Sequence, residues 1–79
     1  MRMYNREYNM TVPMLPEDAI RTIVGEMGLV CVLHGKGKAT LTAMDFHSTG
    51  ESAENILNGA EKFLREKGYI GDCIAKYKI

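Results

Sequence analysis

The chain has 79 residues, 46% of them apolar and 25% charged, and its ten Lys and Arg balance its ten Asp and Glu. This length predicts one domain over residues 1–79, and the mixed composition with two prolines excludes a disordered or low-complexity segment. Five bases stand against four acids up to residue 40 and five against six beyond it, which excludes a basic nucleic-acid arm or an acidic tail.

From Tyr4 to Val12 the apolar and aromatic residues fall on every second position, with Arg6 the exception, and this period predicts a half-buried strand. Pro13 and Pro16 bound it. Pro16 suits the first turn of a helix, where a missing N–H costs nothing, and Glu17 and Asp18 suit that helix's positive end. Ile20, Ile23, Val24 and Met27 then follow helical spacing, and Gly28 provides a left-handed stop. Leu29 to His34 and Lys38 to Phe46 read as two strands joined at Gly35-Lys36-Gly37, a tight hairpin. Ser48 and Glu51 have capping-box spacing ahead of a second helix, whose apolar stripe is Ala53, Ile56, Leu57, Ala60, Phe63 and Leu64. Gly68 ends it, and Tyr69 to Ile79 predicts a fourth strand, with Cys73, Ala75, Tyr77 and Ile79 alternating against Asp72, Ile74, Lys76 and Lys78.

The order strand, helix, strand, strand, helix, strand predicts an α+β, ferredoxin-like βαββαβ fold: a four-stranded antiparallel sheet in order 4-1-3-2 with two helices on one face. Met10, Met14 and Met27 are expected in its core. The mid-helix glycines Gly25 and Gly59 are expected where the two helices approach closely.

Chemistry-bearing residues are sparse. Cys31, His34, His47 and Cys73 are zinc-preferred types, but Cys31 and His34 leave opposite faces of one strand, and the hairpin sets His34 and His47 near opposite ends of the sheet. Cys31 and Cys73 fall on the two edge strands, too far apart for a disulfide. The run His34-Gly35-Lys36-Gly37-Lys38 lacks the spacing, the Ser or Thr and the following helix of a phosphate loop. RNA-recognition domains share the element order but carry aromatics on their inner strands, and here Phe46 is the only one on strand three. No catalytic residue, metal or cofactor is expected, nor any sequence-specific nucleic acid. The longest apolar run, Leu29 to Leu33, is too short for a membrane span, so a cytoplasmic location is expected.

If Leu41 and Ala43 point at the helices, the opposite sheet face holds Thr11, Thr40, Thr42, Met44, Phe46, Ile70 and Ile74, a set too apolar for bare solvent. This predicts a non-enzymatic protein-binding domain. Its partner would be another protein or a second copy in a homodimer, met by Thr40, Thr42, Met44 and Phe46, with Lys36 and Lys38 at the hairpin as basic contact points. A lone domain of this size with no ligand motif is also what bacteriophages commonly encode to block host machinery, anti-CRISPR inhibitors included, so size, and not any residue, adds a phage-type inhibitor to the expectations. The element order is also similar, over nearly the whole chain, to that of ACT-type small-ligand sensor domains and of the nitrogen-regulatory signalling proteins. That resemblance implies a dimer with a ligand at the subunit edges, and makes a small-molecule sensor the alternative.

Overall fold

The computed structural model describes residues 3–45 and 52–78. The chain runs β1 (Met3–Met10), α1 (Glu17–Arg21, continued by a π-helical turn Thr22–Glu26), β2 (Val30–His34), β3 (Lys38–Met44), α2 (Ala53–Glu66) and β4 (Ile70–Lys78). The strands form one antiparallel sheet in the order β2-β3-β1-β4, the ferredoxin-like α+β arrangement expected from the element order.

Alternation along the strands sorts residues onto two faces. Directly opposed residues share a face, so the pairs Arg6↔Leu41 and Tyr8↔Ala39, with Cys31↔Leu41, mark one face across three strands. Tyr8, Leu41 and Ala43 on that face join Ala19 and Ile23 of α1 and Ala53, Ile56, Leu57, Ala60 and Leu64 of α2 in one buried cluster. Both helices therefore cover the same side. Leu41 and Ala43 do point at the helices, and among the described residues no element covers the other side of the sheet, the open face.

Each helix ends where its sequence demands it. At the start of α2 the Ser52 hydroxyl accepts from the Asn55 N–H at 3.2 Å, and the Asp45 carboxylate accepts from the Ala53 N–H at 2.7 Å, so orphan donors of the first turn are satisfied. The Ser48/Glu51 capping box lies outside the described residues, and the observed cap is one turn later. Gly28 and Gly68 take φ of 74° and 77° at the helix ends, and Gly37 takes 72° in the hairpin, a region in which only glycine is unstrained.

Four expectations need correction. Met14 is exposed, because Leu15 and not Met14 turns into the core from the Thr11–Pro16 connection. Val24 is exposed as well: α1 widens into a π turn, where Met27 N–H bonds to the Thr22 carbonyl at 3.0 Å, and residues four apart, Ala19 and Ile23, take the core stripe. Gly25 and Gly59 do not let the helices approach. A Cβ at either meets no atom within 4 Å, and a groove of about 280 Å³ lined by Glu26, Met27, Asn55, Ile56 and Gly59 separates the helices there. Finally, β4 does not alternate simply. Its pairing with β1 slips between Glu7 and Tyr8 and again between Tyr8 and Met10, leaving an extra β4 residue each time. Ala75 and Tyr77 oppose Glu7 and Asn5 on the open side while Lys76 and Lys78 stand on the helix side, the reverse of the expected parity. The first slip turns Cys73 to the helix side opposite Tyr8, and after both slips Ile70 keeps the side of the two lysines, opposite Met10, so it belongs to the core and not to the open face.

Candidate interaction surface

The open face is a lattice of cross-strand rows. Val30, Thr42, Asn5 and Tyr77 form one row, and Val32, Thr40, Glu7 and Ala75 the next, each residue directly opposed to its neighbour. The polar members pair with one another. Thr42 donates its hydroxyl to Asn5 Oδ1, His34 Nε2 and Thr40 Oγ1 lie 2.8 Å apart, and the Tyr77 hydroxyl donates to Glu7 Oε1 at 3.3 Å.

These bonds change what the face can offer. Asn5, Thr40 and Thr42 sit at its centre yet are buried, covered by longer neighbours and already satisfied. Its exposed residues are an apolar rim of Val30 and Val32 on β2, Met44 on β3, Met3 on β1 and Tyr77 on β4, with the polar Asn9, His34 and Lys38 at the hairpin end. Of the residues expected to meet a partner, Met44 lies on this rim, and Thr40 and Thr42 lie beneath it. Lys38 follows the same face at the start of β3, Lys36 is exposed at the hairpin tip, and Phe46 lies outside the described residues. The rim residues of β2 were missed because Val30 and Val32 alternate with Cys31 and Leu33, so an unbroken apolar run hides which half faces out.

The two sheet edges differ in kind. On β2 the sequence Val30-Cys31-Val32-Leu33-His34 has no Asp, Glu, Lys, Arg, Pro or register slip, and Val30, Val32 and Leu33 are all exposed. Val30 is the most open of these, at 56%. β4 carries Asp72, Lys76 and Lys78 and two extra residues, the devices by which natural edges resist pairing with another strand.

On the covered face one polar cluster is buried. The Arg6 guanidinium, with 9% of its side chain exposed, donates through Nη1 to Asn58 Oδ1 at 2.7 Å and lies 4.0 Å from Glu61 Oε1. Tyr8, fully buried, donates its hydroxyl to the same Glu61 oxygen at 2.8 Å. Burial foremost, and then the bond to Glu61, holds the Tyr8 phenol well above its ordinary pKa. Arg6 thus breaks the apolar period of β1 because two α2 side chains receive it.

The two cysteines occupy opposite edge strands with β3 and β1 between them, about 14 Å apart at roughly 4.8 Å per strand spacing. Burial pushes the Cys31 thiol up, which lowers its thiolate fraction. Among the described residues no helix is long and apolar enough to cross a membrane, and no group of three His, Cys, Asp or Glu could hold a metal ion. No protein-family model, curated protein or solved structure matches the chain.

Proposed function

We propose that this chain is a non-enzymatic protein-binding domain that takes a strand of its partner along β2, with the apolar rim of the open face extending the contact. The observation that supports this reading is the β2 edge itself: five residues without a charged side chain or a register slip, their outer backbone groups facing away from β3. Added strands gain affinity from main-chain hydrogen bonds and specificity from alternate side chains, here Val30 and Val32 on one face and Cys31 and Leu33 on the other. The exposed Lys36 at the hairpin tip supplies a basic contact at one end of that edge. A domain that binds in this way acts by occlusion, which is how a phage-type inhibitor of host machinery, anti-CRISPR-like or otherwise, would operate. The same edge pairs with its own copy in a homodimer.

Val32→Lys places a charge on the open side of β2 without touching the core. Self-association of the purified chain, read by sedimentation, and capture of its bound partner should both weaken at least tenfold in this variant, while Glu66→Lys, exposed on α2 on the other side of the sheet, leaves them unchanged. Equal binding by wild type and Val32→Lys would remove β2 from the interface. The alternative, a small-molecule sensor, is favoured by one observation: a cleft on the helix side of the sheet, far from the β2 edge.

A further inference from the structure

Between α2 and the outer end of the β1–β4 pair lies a cleft of about 290 Å³, lined by Tyr4, Arg6, Glu54, Leu57, Lys76 and Lys78 among others. We propose that it binds a small organic anion, a phosphate or carboxylate group carried on an apolar or planar body. This stands independently of the strand-addition reading, since β4 lies at the opposite edge of the sheet from β2.

Three cationic side chains converge there because of the register. Tyr4 opposes Lys78 and Arg6 opposes Lys76, so both lysines of β4 stand on the helix side, beside the arginine and not on the open face. Arg6 is nine-tenths buried and fixed by Asn58, so its position does not depend on a ligand. The Lys78 ammonium lies 5.9 Å from the centre of the Tyr4 ring, which holds a mobile cation at the mouth.

Charge decides the class of ligand. Glu61 offsets Arg6 at 4.0 Å, and Glu54 is the acid lining the cleft, so Lys76 and Lys78 leave the site net positive. Neither lysine forms an ion pair among the described residues. The rest of the wall is Tyr4 and Leu57, an aromatic ring and a buried aliphatic side chain, which suit a planar or apolar body better than a bare ion. The volume falls at the small end of ordinary ligand sites, roughly 300 to 1,000 Å³, and so limits the molecule to a few tens of atoms at most.

The test is a titration of isotope-labelled protein followed by amide NMR, with phenyl phosphate in one arm and benzoate in the other, at an ionic strength held constant with potassium chloride. Saturable shifts are expected at residues 4–6 and 76–78, and the tighter arm identifies the anion. In the double variant Lys76→Gln/Lys78→Gln the affinity should fall at least tenfold, with the rest of the spectrum unchanged. Arg6 is left intact, since its loss would strand Asn58 and Glu61. Shifts that fail to saturate in both arms, or that persist equally in the double variant, overturn the site. Either result is separate from the β2 test, because neither variant residue touches that edge.

Discussion

On the helix-covered side of β3, Leu41 and Ala43 meet α2 and the other apolar core residues, and the neighbouring strand adds one buried polar cluster, Arg6 with Tyr8. On the other side of the same strand, Thr40 and Thr42 meet only the side chains of adjacent strands, yet they are nearly as buried. The difference lies in what excludes the water. On the covered side it is a layer of helices, so a side chain's volume decides stability. On the open side it is a rim of Val30, Val32, Met44 and Tyr77, so the polar centre is satisfied laterally and the rim keeps its apolar surface in solvent. A face built in this way is stable alone and still has area to lose on binding.

The contrast breaks first at Leu41. Leu41→Ala removes a fully buried side chain from the core and should cost about 2 to 5 kcal/mol, whereas Met44→Lys, three residues along on the rim, should stay within about 0.5 kcal/mol of wild type. Urea denaturation measures both. A Met44→Lys cost comparable to that of Leu41→Ala would mean that the rim is structural and that the two faces do not differ as described.

The polar cluster sharpens the same contrast at smaller scale. Tyr8→Phe deletes the donor to Glu61 and should cost about 1 to 2 kcal/mol near neutral pH. Its pH dependence has a definite sign. The phenol ionises at higher pH in the folded chain than in the unfolded one, so the unfolded chain loses this proton first and stability falls as pH rises above about 10. The half-buried Cys31 thiol acts in the same direction over its own alkaline range. Melting temperatures from pH 8 to 11 should therefore decline less steeply in Tyr8→Phe than in wild type. Parallel profiles would show that the Tyr8 hydroxyl is not shielded by the fold.

These contrasts were unequally legible in the sequence. The order of elements, the strand order and the inward parity of Leu41 and Ala43 follow from period and turn chemistry, since hydrophobic alternation and glycine stops are local signals. What failed to show depends on partners distant in sequence. Arg6 reads as an interruption of β1 until Asn58 and Glu61 meet it from α2. Ile70 reads as one of an outward set because which side of β4 faces the helices is fixed by its pairing with β1, where Lys76 opposes Arg6 and Ile70 opposes Met10, and not by β4 alone. Thr40 and Thr42 were placed on the correct face, but their burial comes from Asn5, His34 and the rim, which only the assembled sheet brings together. The cleft residues Lys76 and Lys78 were legible as charged and not as convergent, for the same reason.

The smallest effects test the groove between the helices, where the open space at Gly59 contrasts with the filled core one residue away at Ala60. Gly59 lies inside α2 with nothing within 4 Å of where a Cβ would stand, so Gly59→Ala gains helix propensity and restricts the unfolded chain without a clash. Stabilisation of about 0.5 to 1 kcal/mol is expected. Gly25 is equally open, but it sits in the π-helical turn Thr22–Glu26, where the advantage of alanine in an α-helix applies only in part. Gly25→Ala should therefore raise stability by less than Gly59→Ala does. Denaturation midpoints of the two variants, read side by side, separate the possibilities. A larger gain at Gly25 would mean that the turn relaxes to α geometry when the glycine is removed. A loss at Gly59 would mean that something occupies the groove in solution and needs the space a methyl group takes.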